Sequence, residues 1–372
     1  MMLIRGRRGK VRYPDKENDM KFGIAIPTDS DSWRLVRRAE ELGFHHAWFY
    51  DTQLLSADCF VAMAACAMKT TRIRLGTGVL VQSGRIAAVT ANAFASLNKL
   101  APGRIDFGIS TGFTARRTMG LGAVTLSDME DYIRVVQGLW RKETVAAKVE
   151  GVVKTIRFLN PELRLINLDD PIPLYIAASG PKARALTAKL GAGWIDGATS
   201  VAQATANLGV MREAWGAGNE GLNAVAWAGG AVLEPGEPCD SARAIAQAGP
   251  RAAVMFHRAA DEALSGLPNR TPLPVQFQDA AAEYVEMVRG YGPTETYYLG
   301  NHRGHLMAPR DDERKFLTAE LIRHATWTAT APELIERVAA LEAAGFAQIV
   351  FSILPGQEQA VEDWGRVRRA FA

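Results

Sequence analysis

The chain has 372 residues, 48% of them hydrophobic and 22% charged, with a formal net charge of +3. A charge this small at this length argues against a nucleic-acid-binding surface spread over the molecule, and no apolar run approaches the ~20 residues that span a bilayer. Three cysteines, Cys59, Cys66 and Cys239, make no metal or disulfide pattern and read as apolar packing groups in a reducing cytoplasm.

Length alone allows one large α/β barrel or two to three smaller domains. The first 20 residues are basic and lack the apolar centre of a signal peptide. They read as a disordered or extended segment, with Met20 the expected functional start. KFGIAIP (21–27) then reads as the first strand and 32–42 as a helix. HAWFY (46–50) is the second strand, followed by a helix over 59–69. RIRLGTGV (72–79) is the third, with a helix over 88–100. RIDFGIS (104–110) is the fourth, followed by a loop and a helix over 128–140. VKTIRFL (153–159) reads as part of a hairpin insertion. PLYIAAS (173–179) is the fifth strand, with a helix over 181–190. WIDGA (194–198) is the sixth, with a helix over 202–215. AVAWAGGAVL (224–233) is the seventh, AQIVFS (347–352) the eighth, and the last helix covers 358–371.

Three joints repeat one pattern: AEELGFHHAWFY (39–50), AKLGAGWIDGA (188–198) and LEAAGFAQIVF (341–351) each end a helix on glycine and enter an apolar strand almost at once. Such joints mark βαβ units and a parallel sheet. Eight strands alternating with helices favour a (β/α)8 TIM barrel over an open doubly wound sheet, because strand one runs into PTDSDSW with no glycine-rich dinucleotide turn. Residues 21–372 are therefore expected to form one barrel domain with insertions. The stretch at about 235–330 is expected to be an elaboration over the mouth.

In a barrel, chemistry gathers at the C-terminal strand ends. The fifth strand ends in Ala177-Ala178-Ser179-Gly180-Pro181-Lys182. Small residues admit a ligand close to the backbone, and Pro181 suits the first position of a helix whose free N–H groups favour a phosphate. Ser179 adds a hydroxyl and Lys182 a charge; a plain helix cap is the competing reading. The fourth strand ends in Ser110-Thr111-Gly112 and runs into ISTGFTARRTMG (109–120). Thr111, Thr114 and the Gly112 backbone can bond anionic oxygens. Arg116 and Arg117 sit at a helix start, where cations oppose the dipole, so a compensating anion is expected beside them.

These strand ends resemble the bacterial luciferase-like superfamily, and within it the branch using the deazaflavin coenzyme F420, which includes methylenetetrahydromethanopterin reductase and actinobacterial glucose-6-phosphate dehydrogenase. The resemblance runs from about Met20 to the C-terminus. It is strongest in LGTGVL (75–80), TGFTARRTMG (111–120) and AASGPKA (177–183). It implies a (β/α)8 barrel, usually dimeric, with the cofactor ring in the mouth and a non-prolyl cis peptide at Gly78–Val79 behind it. It further implies that Ala177–Lys182 takes the phosphate, that Ser110 and Thr111–Arg117 take the polar edge of the ring or the anionic tail, and that Asp51 contacts the cofactor and serves catalysis.

Two departures bear on the substrate. Strand two often ends in Asp-His in this branch, but here it ends in Asp51-Thr52. Phe113 stands where relatives carry Glu or Asn. A sugar phosphate is therefore not expected: Thr52 cannot act as the acid or base that a histidine could, and Phe113 suits an apolar or aromatic substrate, with Thr52 and Phe113 the expected substrate contacts. Protons must come from elsewhere, and His302 and His305 in GNHRGHL (300–306) are the candidates, with a purely structural role as the competing reading. Their spacing permits a metal, but no carboxylate or cysteine pattern completes a site, so none is expected. His257 and His324 read as packing residues. The expected function is hydride transfer between F420 and an unsaturated or carbonyl small molecule. The alternatives are a flavin mononucleotide (FMN) monooxygenase on the same barrel and a non-catalytic cofactor-binding protein.

Overall fold

A computed structural model describes residues 20–216, 221–269 and 273–372. The expectation for the first 20 residues, Met20 apart, lies outside them. The chain begins β1 (Lys21–Ile26), α1 (Trp33–Glu41), β2 (His46–Phe49), α2 (Cys59–Lys69), β3 (Arg74–Thr77), β4 (Leu80–Val81) and α3 (Ala87–Leu100). It continues with β5 (Ile105–Ser110), α4 (Thr114–Arg117), α5 (Leu126–Trp140), an antiparallel hairpin of β6 (Val145–Val149) and β7 (Val152–Ile156), β8 (Leu174–Ala177) and α6 (Pro181–Leu190). Then come β9 (Gly193–Asp196), α7 (Val201–Trp215), β10 (Ala224–Ala228), β11 (Val232–Leu233), α8 (Ala242–Ser265), α9 (Gln278–Arg289), α10 (Tyr297–Asn301) and α11 (Ala319–Ala325). The chain ends with β12 (Ala329–Thr330), α12 (Ala331–Ala344), β13 (Gln348–Ser352) and α13 (Ala360–Arg369).

Strands β1, β2, β3, β5, β8, β9, β10 and β13 pair in parallel all the way round. β13 returns to β1 through Lys21↔Gln348, and β3 meets β5 through Leu75↔Ile105. The expected (β/α)8 barrel is therefore closed. Its strands are buried on both faces, as a parallel sheet under helices requires. Alternation assigns the faces: Phe22, Ile24, Ala47, Phe49, Ile349 and Phe351 pack outward under the helices, whereas Ala25, Trp48, Tyr175, Ile195, Val225 and Val350 fill the barrel. The glycines at the three helix–strand joints, Gly43, Gly191 and Gly345, all take the left-handed conformation. The three cysteines are free and buried, and burial pushes the Cys66 thiol up to about 12. No helix among the described residues is long and apolar enough to cross a membrane.

Two elements depart from the sequence reading. The predicted strand 224–233 is two strands, because the chain leaves the barrel at Gly230. A Cβ there would lie 2.8–3.0 Å from the backbone of Trp327 and Thr328. This close approach aligns β11 to pair with β12 outside the barrel. The predicted strand 72–79 likewise stops at Thr77 and resumes as β4 against the end of β5.

Between β11 and β12, α8, α9 and α11 build a second apolar cluster around Phe256, Tyr284, Phe316 and Leu321. Two side-chain links tie α8 to strand ends: Arg251 donates to the carbonyl of Gly197 after β9 (2.9 Å), and Asp261 pairs with Arg117 after β5 (2.8 Å). These links set α8 against the C-terminal end of the barrel.

Candidate active site

The mouth is floored by small or flat groups. The Gly78–Val79 peptide is cis. Gly78 is required there by space: a Cβ would lie 2.6 Å from Trp227 Cη2 and 2.8 Å from Trp48 Cβ. Val79, Ala177, Tyr50 and Trp227 lie partly buried over the inner core. The Tyr50 hydroxyl donates to Ser352 Oγ (3.2 Å), and burial raises its pKa, so it stays protonated at neutral pH. Ser110 Oγ donates to the carbonyl of Ala177 (3.2 Å), joining the ends of β5 and β8.

At the end of β8, α6 starts with Gly180 as its N-cap and no side-chain cap bond, with Pro181 in its first turn. The helix dipole and the first-turn N–H groups are thus open to an anion. Ser179, Pro181 and Lys182 are exposed, Ala177 and Gly180 half-buried, and Ala178 buried.

Asp51 is not positioned as the sequence reading expects. It is 5% exposed. Its carboxylate takes both oxygens to Arg85 Nη1 (2.9 and 3.1 Å) and accepts from the Val81 N–H (3.2 Å) and the Cys59 thiol (3.5 Å). With its oxygens so engaged, it orders the exit from the cis segment instead of facing a ligand. Thr52 shares a hydrogen bond with Ser56 Oγ (2.8 Å).

The loop after β5 turns tightly, with Gly112 at φ +83° and α4 folding directly behind it. The half-buried Thr111 and Thr114 lie on either side of Gly112. The two arginines have different fates. Arg117 is 7% exposed and committed to Asp261, so its guanidinium is not free for a cofactor tail. Arg116 is half-buried; its Nε donates to the carbonyl of Gly122. The Phe113 ring has the guanidinium carbons of Arg117 and Arg258 at 5.0 and 4.7 Å from its centroid. Burial, with Arg251 and Arg117 nearby, lowers Arg258 to about 10, so it remains a cation at neutral pH.

His302 and His305 are 1% exposed and lie behind Phe113, whose ring is 5.8 Å from that of His305. Burial holds both pKa values below the usual histidine range. A proton carrier for the mouth needs a ring nitrogen that reaches it; His302 Nε2 is engaged with Asp261, the Nδ1 atoms of His302 and His305 meet each other and His257, and His305 Nε2 is buried. His257 is no packing residue: its Nδ1 meets His305 Nδ1 and its Nε2 meets Glu313. Two cavities of about 250 and 270 Å³ open elsewhere, beside Phe277 and Lys315 and beside Cys239 and Arg337, and neither includes a residue of the mouth.

Fold and strand ends together define a (β/α)8 barrel with an apolar floor and an electropositive mouth. The chain belongs to the luciferase-like monooxygenase family, whose profile matches residues 20–348. It is 27% identical over 341 residues to the 5,10-methylenetetrahydromethanopterin reductase of Archaeoglobus fulgidus, covering 89% of this chain and 92% of that protein. It is 35% identical over 140 residues to the F420-dependent glucose-6-phosphate dehydrogenase of Beutenbergia cavernae, covering 36% of this chain and 40% of that one. Among solved structures, the coenzyme F420-dependent tetrahydromethanopterin reductase of Methanopyrus kandleri matches with a TM-score of 0.68 at 18% identity, over 95% of this chain and 100% of that one, which is a likeness of fold.

Sequence reasoning passed over Arg85, Arg251, Arg258, Asp261 and Glu313. Asp261 was the most accessible of these: it stands four residues after His257, a spacing that puts both on one face of α8. Its partners come from segments about 40 residues away or more.

Proposed function

We propose that the chain is an oxidoreductase that transfers hydride between coenzyme F420 and an unsaturated or carbonyl small organic substrate. The observation that carries this reading is the start of α6, where Gly180 supplies no cap and Ser179 and Lys182 stand exposed beside it. The site fits the group: an uncapped helix start suits a phosphate diester, and the partly buried Val79, Ala177, Tyr50 and Trp227 offer a floor of apolar and flat groups to a ring. The near full-length likeness to a methylenetetrahydromethanopterin reductase supports the same reading.

Bound F420 supplies the hydride chemistry, and the protein supplies orientation and electrostatics. Ser179, Lys182 and the first-turn N–H groups hold the phosphate. Arg116 would meet the tail, with Arg251 and Arg258 adding positive potential around the loop. Val79 and Ala177 support the ring, and Trp227 and Phe113 offer aromatic surface to an apolar substrate while keeping water away. Asp51 acts through Arg85 and Val81 as a positioning residue. The exposed apolar residues Val152, Val153, Leu159, Leu163 and Leu165 support a homodimer.

Titration with F420 and with FMN, followed by ring absorbance and fluorescence, tests the reading. F420 should bind the more tightly, and binding of FMN alone would sink it. One observation favours a flavin monooxygenase as the second reading: with Arg117 committed to Asp261, a cofactor with a phosphate and no polyanionic tail needs fewer free cations. That alternative requires oxygen consumption with reduced FMN.

A further inference from the structure

The interior of the elaboration holds a polar cluster that the mouth does not use. His257 on α8 and His302 and His305 after α10 are each 1% exposed. Their ligand atoms all lie within 4.8 Å of one another. The Nδ1 atoms converge: His257 to His305 is 2.5 Å and His302 to His305 is 3.4 Å.

The opposite nitrogens determine what the converging ones carry. His257 Nε2 meets Glu313 Oε1 at 2.6 Å, and His302 Nε2 meets Asp261 Oδ1 at 3.0 Å. An ionised carboxylate only accepts, so both Nε2 atoms carry the proton and, in the neutral rings, both Nδ1 atoms present lone pairs. Both carboxylates are themselves held. Glu313 accepts from Tyr284 Oη (2.7 Å) and pairs with Arg310 (3.3 Å). Asp261 accepts from Tyr297 Oη (3.0 Å) and Asn301 Nδ2 (3.1 Å) and pairs with Arg117 (2.8 Å). Carboxylates that fix ring orientation and tautomer from behind are the usual outer shell of a histidine-bound metal.

His305 closes the argument. Its Nε2 is buried with no hydrogen-bond partner among the described residues. If that nitrogen carries the proton, three lone pairs point at one another. If Nδ1 carries it, a single N–H faces two acceptors, and 2.5 Å is shorter than the ~2.7–3.2 Å of an N–H hydrogen bond. An ion about 2.0–2.1 Å from each nitrogen relieves both, and tetrahedral geometry then sets neighbouring nitrogens about 3.3–3.4 Å apart.

We infer that the Nδ1 atoms of His257, His302 and His305 form a binding site for one divalent transition-metal ion of the zinc type. Arg117 and Arg310 already balance Asp261 and Glu313, so neutral imidazoles hold the ion, and a water or small anion completes its four ligands. Burial makes the ion structural. It clamps the segment after α10 to α8, directly behind Phe113 and the Arg117–Asp261 pair.

The test uses the full chain, stripped with a chelator, dialysed and then loaded with Zn²⁺ or Co²⁺. We expect one equivalent of Zn²⁺ per chain to survive gel filtration. We expect Co²⁺ to give the visible absorption of a four-coordinate site, and saturation to raise Tm by about 5–10 °C. His305→Gln should abolish all three effects, whereas His324→Gln on α11 should keep them. Retention of less than a tenth of an equivalent, or equal binding by His305→Gln, would overturn the inference. Should His305→Gln fail to fold, long-range ¹H–¹⁵N spectra of the natural protein decide: metal-shifted Nδ1 resonances on three rings support the site. A protonated Nδ1 in Zn²⁺-loaded protein means that a proton occupies the position, and refutes it.

Discussion

Asp51→Asn separates a positioning role from a catalytic one. The substitution keeps the shape and one carbonyl oxygen, so the Val81 N–H (3.2 Å) retains an acceptor. It removes the charge facing Arg85, whose side chain is 17% exposed. Taking one partner from a buried ion pair typically costs about 3–5 kcal/mol, because the other charge stays behind. Here Arg85 keeps Asp58 as a second partner, and asparagine still accepts one hydrogen bond, so the expected loss is about 2–3 kcal/mol. Asp51→Ala also removes the acceptor for Val81 and should cost about 3–5 kcal/mol. Denaturant unfolding with an unchanged slope measures both. The double variant Asp51→Asn with Arg85→Met should lose less than the sum of the singles, since neither charge is then stranded. Asp51→Asn should weaken cofactor affinity through β4, yet bound cofactor should still turn over. An Asp51→Asn protein within 0.5 kcal/mol of the natural chain, with turnover abolished, would refute the positioning role and return Asp51 to the chemistry.

Replacing Ser179 and Lys182 together with alanine should weaken binding of F420 and FMN alike by about 10–100-fold, from lost phosphate bonds totalling about 1.5–3 kcal/mol, with melting unchanged. Equal affinity would remove α6 from the site. Arg116→Gln should flatten the dependence of F420 affinity on tail length and salt, and dissociation constants for several tail lengths that shift identically would refute this. Arg117→Gln should destabilise the fold by about 3–5 kcal/mol by stranding buried Asp261; a merely salt-sensitive loss of affinity, at full stability, would restore Arg117 to the tail. His45 is held down to about 4 by burial, with Lys21 and Arg368 adding repulsion, and its neutral Nδ1 accepts the Phe22 N–H (3.1 Å). The unfolded chain takes up a proton below about 6.5 and the native ring does not, so this part of stability is full above 6.5 and is lost as pH falls towards 4. His45→Asn, which keeps an acceptor for Phe22, should flatten that slope in denaturant titrations; an unaltered slope would clear His45 of the effect.

What the sequence discloses about this protein follows from the range of each interaction. The barrel was readable because its signals are local: apolar runs of strand length, glycines that close helices at 43, 191 and 345, and a regular alternation of the two. Gly180-Pro181-Lys182 was readable for the same reason, since a helix start is made by neighbours in the chain. The fate of a charge was not. Arg116 and Arg117 are adjacent and chemically identical, and only a carboxylate 144 residues away makes one of them buried and committed. Asp51 reads as a strand-end acid, and only Arg85, placed by the turn after β4, shows that it braces the backbone. The histidines carry the point further. His302 and His305 are three apart and suggest a pair, but the third ring and both carboxylates come from α8 and from the turn at Glu313. A constellation assembled from three segments leaves no periodicity in the chain. Long-range partners thus decide which polar residues face the mouth and which hold it in place, and here they move Asp51, Arg117, His302 and His305 from the first group to the second. On the proposed function, the contacts with cofactor and substrate are left to the β8–α6 turn, the floor around Gly78 and the aromatic surface of Trp227 and Phe113.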